Sequence, residues 1–174
     1  RYLLMTRGEF KRGNFNLQDP NDPALVIPLE VNAVRPPKIK VDTKGPQPVI
    51  NVQVFLEGNI LSIQSMLHYE QKEAKAMLES LFAEDVEKNI EKVIKRCQAK
   101  GVDVFKFGGY AARNFWTIQE FENYNWNEHF KDAAAKVDVE FSIQRTGTHI
   151  TTSPVVGVNE DVESKRKKQE ISGK

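Results

Sequence analysis

The chain has 174 residues, the length of a single domain, since domains usually hold about 100 to 200 residues. Hydrophobic residues make up 40% of it and charged residues 28%, which allows a buried core and argues against a disordered or membrane-spanning chain. The formal net charge of +1 argues against a nucleic-acid partner, because neutralising a row of phosphates takes clustered Lys and Arg.

The N-terminal residues 1–9 lack the apolar region of a signal peptide, and no stretch of the chain approaches the roughly 20 apolar residues of a membrane-spanning helix. The sequence opens inside an apolar segment without an initiator methionine. We therefore expect a fragment of a longer protein, with any membrane attachment outside it.

Extended strands are predicted for the first third of the chain. Residues 25–33 form an apolar run in which Pro28, and a proline pair that follows, indicate an edge position or interruptions. Residues 38–42 and 50–57 largely alternate between apolar and polar side chains and are separated by a Gly-Pro turn, which predicts a hairpin. At 57–59 the sequence permits a turn or a bulge in a continuing strand, and we favour the bulge.

A long amphipathic helix is predicted over residues 71–100, because apolar side chains recur there at steps of three and four. Cys97, the one cysteine of the chain, lies on this apolar stripe. A single cysteine cannot form an internal disulfide, so the redox compartment stays open, and a thiol in this position is expected to be buried rather than reactive.

Three short helices are predicted to follow. Asp103 can cap the first of them, in which the pair Gly108 and Gly109 would each cost about 1 kcal/mol relative to alanine, so a close contact there would explain them. Residues 117–120 fit a capping box at the start of the second helix. Asn125 can cap the third.

The last predicted strand covers residues 137–144, which alternate strictly between apolar and polar side chains, and Arg145 to Gly147 close it. Strands, then helices, then a strand predict an α+β fold, an antiparallel β-sheet with one face covered by a long helix and several shorter helices. Residues 151–174 lack periodicity, so we predict a domain over residues 1–150 and a flexible charged tail.

Residues for catalysis or metal binding are scattered along the sequence. The three histidines, His68, His129 and His149, stand outside any nucleophile motif, and a hydrolase would need one of them beside a nucleophile and an acid in a cleft. The sequence has no paired cysteines, no His-Glu-x-x-His, no calcium loop and no glycine-rich phosphate loop. We therefore predict no enzyme, no cofactor and no metal site.

The aromatic residues that run from Phe105 to Phe130 are the densest feature of the sequence. Such a run could line a pocket for a small molecule, such as an amino acid or a sugar, or form a partner surface. More often it is part of the core. A closed, apolar cavity would favour the small-molecule alternative.

Several segments in a fixed order carry a resemblance to a known family. They are Val-Asp-Val-Phe-Lys-Phe-Gly at 102–108 after the long charged helix, Asn-Trp at 125–126, and Val-Asp-Val-Glu-Phe-Ser-Ile-Gln-Arg-Thr-Gly at 137–147. This order resembles the C-terminal domain of the Ger(x)C spore germination proteins, over about residues 1–150. Lys106 departs from the family, which often has glycine there, and the family's lipid-attachment cysteine belongs to an N-terminus absent from this sequence.

The resemblance implies a non-enzymatic lipoprotein on the outer face of the spore inner membrane. It implies that the protein responds to nutrient germinants together with two membrane-embedded receptor subunits, A and B. We expect the domain to be an interaction module, although each candidate residue also has a purely structural interpretation. The candidate partner-contact residues are Phe107, Gly108, Gly109, Asn125, Trp126, Arg145 and Gly147.

Overall fold

A computed structural model describes residues 1–20, 22–62 and 72–145, which form a four-stranded sheet and a set of helices. Gly147 and the predicted tail 151–174 lie outside the described residues. The elements in chain order are α1 (Tyr2–Arg7), β1 (Arg12–Gln18), β2 (Val26–Asp42), β3 (Val49–Ile60), α2 (Lys72–Ala99), α3 (Phe107–Ala111), a 3-10 turn (Ala112–Asn114), α4 (Ile118–Tyr124), α5 (Trp126–Lys131) and β4 (Ala134–Arg145).

The sheet has the strand order β1-β2-β3-β4, which confirms the α+β class and corrects one detail of it. The first three strands are antiparallel neighbours, as predicted, but β4 lies parallel to β3. The helices between β3 and β4 carry the chain back to the start of β3, and such a crossover connection produces parallel pairing. The sheet is therefore mixed rather than antiparallel throughout.

Strand β2 is one continuous central strand rather than two, with register shifts between Ala33 and Arg35 and between Arg35 and Lys38. The proline pair lies in the second shift, where a missing N–H does not break a regular ladder. Ile60, the last residue of β3, pairs with Leu29 on β2. Pro28 therefore lies one residue past the end of the ladder between β2 and β3. The prolines thus mark a bulge and the end of the ladder with β3, so the predicted interruptions are present and the alternative of an edge position is wrong.

Strand β3 does not turn at Gly58 but continues to Ile60, as the bulge interpretation required, although the extra residue lies on β4 rather than on β3. The pairing with β2 is regular there, whereas the pairing with β4 shifts by one residue between Gly58 and Asn59. A Cβ atom on Gly58 would lie 2.7 Å from the ring of Phe141 on β4. The glycine therefore leaves room for an aromatic ring that packs across the sheet.

The two faces of the sheet differ in polarity. One face carries buried apolar side chains such as Ile50, Val52 and Val54, which join the core. The other face is polar, with Gln53 donating to Asp138 at 3.0 Å. This is the alternation expected when helices cover one face of a sheet.

Helix α2 confirms the predicted long helix and packs along β4. Its buried residues are spaced three or four apart, as the sequence pattern required: Leu78, Phe82, Val86, Ile90 and Ile94. The carboxylates of Glu87 and Glu79 accept hydrogen bonds from the backbone N–H groups of Val139 (2.9 Å) and Ile143 (2.7 Å) on β4. Strand β4 lies at the end of the sheet, so α2 satisfies backbone donors that an edge strand would otherwise leave unpaired.

None of the helices in the described part of the chain has the length and apolar content to cross a membrane.

Candidate functional site

The short helices after α2 are positioned around Asp103. This residue was predicted to begin a helix directly, but α3 begins only at Phe107, because Lys106 adopts a left-handed conformation with φ of 64°. The Asp103 Oδ2 atom nevertheless accepts a hydrogen bond from the backbone N–H of Gly108 at 2.7 Å. Asp103 therefore satisfies a donor in the first turn of α3 from outside the helix.

The same carboxylate oxygen joins α3 to α5. The indole Nε1–H of Trp126 donates to Asp103 Oδ2 at 3.0 Å. Hydrogen bonds to a charged acceptor are stronger than those between neutral groups, typically contributing about 1.5 to 3 kcal/mol. The other oxygen, Oδ1, is buried with no hydrogen-bond partner among the described residues. Asp103 thus fixes the position of Trp126 over α3.

The two adjacent glycines of α3 have different surroundings. A Cβ atom on Gly108 would lie 2.7 Å from Cδ1 and 3.0 Å from Nε1 of Trp126, whereas nothing lies within 4 Å of one on Gly109. The close contact that the sequence suggested is confirmed at Gly108, because the indole ring occupies the space of a side chain. Gly109 is exposed and has no such requirement.

Helix α4 begins with the predicted capping box. The Thr117 side chain accepts from the backbone N–H of Glu120 at 3.2 Å, and the Glu120 carboxylate accepts from the backbone N–H of Thr117 at 3.3 Å. Asn125 ends α4 and precedes α5 in a left-handed conformation with φ of 51°, and its side chain makes no capping hydrogen bond. Asn125 turns the chain between the two helices, and Asn tolerates the left-handed conformation better than most residues.

These elements border an open groove of about 710 Å³, and four of the seven candidate residues meet there. They are Gly108, Gly109, Asn125 and Trp126. The groove is also lined by Gly101, Val102, Asp103, Lys106, Phe121, Glu122 and Asn127.

Among the other candidates, Phe107 does not line the groove. Phe107 is fully buried beneath it, and Trp126 is only 6% exposed, so these two side chains belong to the core, the alternative stated for them above. Arg145 is the last residue of β4, and Gly147 lies beyond the described residues.

The exposed groups of the groove include side chains of both charges and one apolar side chain, Val102, which is 53% exposed. Lys106, Glu122, Asn125 and Asn127 are exposed, and Phe121 is half-buried among them. Sequence reasoning missed Lys106, Glu122 and Asn127 as a set, because they come from two segments that only the fold brings together. Within the described residues, no group of three His, Cys, Asp or Glu side chains could hold a metal ion.

His129 is the one histidine that falls within the described residues, since His68 and His149 lie outside them. Its ring stacks on Tyr124 at 4.0 Å between centroids, and its Nδ1 atom lies 3.3 Å from the carbonyl oxygen of Asn125. It lines a cleft of about 380 Å³ with Pro46, Gln47, Pro48, Glu128 and Asp132. This cleft places a base beside acids but holds no hydroxyl or thiol nucleophile.

The aromatic run mainly builds the core of the helical end. Phe105 stacks on Phe107 at 5.0 Å between ring centroids, and Phe107 lies 6.3 Å from Phe130. All three rings are at most 2% exposed. They fill space instead of lining a cavity, and the groove above them is open and of mixed polarity, unlike the closed apolar cavity that a small-molecule site would favour.

Comparison with known proteins gives a family and a fold. The family described as "Spore germination B3/ GerAC like, C-terminal" matches residues 1–147. The chain is also similar to the crystal structure of the GerBC protein, with a TM-score of 0.65 and 19% sequence identity. The likeness covers 82% of this chain and 44% of GerBC, so this chain spans less than half the length of that protein. No curated protein matches the chain.

Proposed function

Since the chain belongs to the spore germination B3/GerAC-like family, as its C-terminal domain, we propose that it is the interaction domain of the C subunit of a nutrient-germinant receptor. The observation that carries this proposal is the family match, which extends over residues 1–147. The fold shared with GerBC supports it.

In this proposal the domain is non-enzymatic and works by docking. Its partners are the membrane-embedded A and B subunits of the receptor, not nucleic acid. A lipid anchor elsewhere in the full-length protein holds it on the outer face of the spore inner membrane. The domain then supplies a water-exposed surface through which the receptor subunits are held together.

The groove around Gly109 supports docking of a protein over binding of a small molecule. Small-molecule sites are concave, mostly apolar and largely enclosed, whereas this groove is open and carries Lys106 and Glu122 on its surface. Mixed polar and charged groups around a small apolar centre, here Phe121, are typical of the rim of a protein interface. The proposed contact groups are therefore Lys106, Gly109, Glu122, Asn125 and Asn127.

The proposal is tested by the nutrient response of spores that carry variants of the full-length protein. Deletion of this domain should abolish the response. The substitution Lys106→Asn should weaken it without unfolding the domain, because Asn suits the left-handed conformation at this position and removes only the cation. Lys88→Gln, at an exposed position on α2, serves as the matched control.

His129→Ala separates docking from catalysis in the same assay. A docking domain should keep its nutrient response, with immunoblots showing normal amounts of each variant in the membrane. A full response after deletion of the domain would contradict the proposal. Loss of the response in His129→Ala, with the protein folded and present, would favour a hydrolase instead.

A further inference from the structure

Two apolar side chains at the start of α4 stand in solvent. Trp116 is 97% exposed and Ile118 is 77% exposed, and the other exposed large hydrophobic residues of the described chain are at most 57% exposed. Both belong to one turn and are separated by a single residue. A tryptophan buries about 150 to 250 Å² when it packs, so leaving one in water forgoes a large favourable contribution.

The backbone that carries these two side chains is fixed. The carboxylate oxygen Oε2 of Glu120 accepts hydrogen bonds from the N–H groups of both Trp116 (3.0 Å) and Thr117 (3.3 Å). The Thr117 side-chain oxygen in turn accepts from the backbone N–H of Glu120, which completes the capping box. The side chain of Trp116 is therefore presented by an ordered turn, and a partner would pay little to order this backbone on binding.

The exposure of Trp116 is not explained by the helix start itself. A residue in its position, directly before the cap, commonly packs against the fourth residue of the helix, which is Phe121. Here Phe115 does so instead, with its ring 5.6 Å from Phe121 and 5.0 Å from Tyr124. Phe115 therefore makes the packing contact expected of Trp116, and the indole ring of Trp116 stays in solvent.

The charges on α4 indicate the chemistry of the partner. The helix carries no Lys or Arg, and of its two acidic side chains Glu120 accepts the hydrogen bonds of the helix start, whereas Glu122 is exposed and makes no such bond. Arg113, the nearest cation before it in the sequence, lies over the ring of Tyr110 at 4.9 Å. Helices that settle on anionic lipid carry Lys and Arg on their polar face, so a glutamate-flanked pair suits such a surface poorly.

We propose that Trp116 and Ile118 form a docking knob that inserts into an apolar pocket, rimmed by Lys or Arg, on a partner protein. Tryptophan is enriched among the residues that dominate the energy of protein interfaces. Ile118 and Glu122 lie one turn apart on α4, so the acidic flank faces the rim of the pocket while the knob fills it. Since Glu122 also lines the groove described above, the knob extends that surface to the other end of α4.

The identity of the partner rests on the proposed function, so the probe is the purified complex of receptor subunits A and B in detergent. Binding of the full-length protein to this complex is measured for wild type, Trp116→Ala and Ile118→Ala. The control is Val26→Ala, at a position 44% exposed at the start of β2. Circular dichroism and thermal melting confirm that each variant folds.

The knob should account for a large part of the affinity. Trp116→Ala should weaken binding by about 30-fold, the effect typical of a dominant interface residue, and Ile118→Ala by severalfold. Glu122→Lys should weaken binding most at low salt, because like charges then face each other across the interface. Val26→Ala should bind as wild type does. Binding by Trp116→Ala within twofold of wild type would overturn the knob and leave the proposed function standing.

Two further outcomes separate the knob from its alternatives. If wild-type protein does not bind the A and B subunits at all, the knob and the proposed function both fail. Vesicles of phosphatidylglycerol and phosphatidylethanolamine test the lipid alternative. Vesicle binding that is lost in Trp116→Ala would overturn the protein-docking proposal in favour of a lipid contact, whereas equal and weak vesicle binding by both proteins supports it.

Discussion

Replacing either of the two adjacent glycines of α3 by alanine should change the stability of the domain, but in opposite directions. Gly109→Ala should stabilise the domain by about 1 kcal/mol, because alanine is the better helix former and nothing lies within 4 Å of the added methyl. Gly108→Ala also replaces glycine by the better helix former, but it places the added methyl 2.7 Å from the indole of Trp126. The ring must then move, which costs about 1 to 3 kcal/mol of overpacking and weakens its hydrogen bond to Asp103.

The expected net effect of Gly108→Ala is a loss of about 2 kcal/mol. For a domain of this size, about 3 °C of melting temperature accompanies each kcal/mol, so Gly108→Ala should melt about 6 °C below wild type and Gly109→Ala about 3 °C above it. Urea unfolding is followed by tryptophan fluorescence, which reports mainly on Trp126, since Trp116 is already 97% exposed in the folded chain. Equal stability of the two variants would refute the packing of Trp126 against Gly108.

The remaining predictions concern α2. Glu87→Ala should cost about 1 to 3 kcal/mol in urea unfolding, because it leaves the N–H of Val139 without its acceptor, whereas Glu84→Ala removes only a surface ion pair with Lys88 and should cost under about 0.5 kcal/mol. Equal losses would contradict the role of α2 as a cover for β4. Cys97 is half-buried rather than fully buried as the sequence predicts, and this partial burial raises the pKa of its thiol. Iodoacetamide at pH 8.5 should therefore alkylate the folded chain more slowly than the urea-unfolded chain, and equal rates would argue against burial. Because the folded chain holds the thiol proton to higher pH, this group should make stability fall as pH rises through the thiol range.

Features with a local cause could be predicted from the sequence. The predicted helix over 71–100 is α2, Lys72–Ala99, because a buried stripe imposes its spacing on the sequence. The predicted strand over 137–144 lies within β4, Ala134–Arg145, and the capping box at Thr117 is present. Each of these signals is complete within a few turns of helix or a few residues of strand.

Features that depend on distant contacts were missed. Strand β1 carries only Phe15 and Leu17 as apolar residues facing the core, with Gly13 in the third position, so its alternation is weak. The parallel pairing of β4 follows from the path of the chain through four α-helices and a 3-10 turn, which no local pattern encodes.

The same limit applies to the candidate site. Gly108 and Trp126 were both singled out from the resemblance, but their contact, and the carboxylate of Asp103 that holds it, joins residues up to 23 positions apart. The exposure of Trp116 could not be predicted either, because the sequence does not reveal that Phe115 takes the packing position against Phe121.

The central claim, that the domain docks onto the membrane-embedded receptor subunits, is tested most directly by co-purification. The full-length protein, with and without this domain, is captured from detergent-solubilised spore inner membranes, and the A and B subunits are quantified by mass spectrometry. We expect both subunits to be recovered with the complete protein and to fall to background when the domain is removed. Equal recovery of A and B with the domain-deleted protein would show that docking resides elsewhere and would contradict the account.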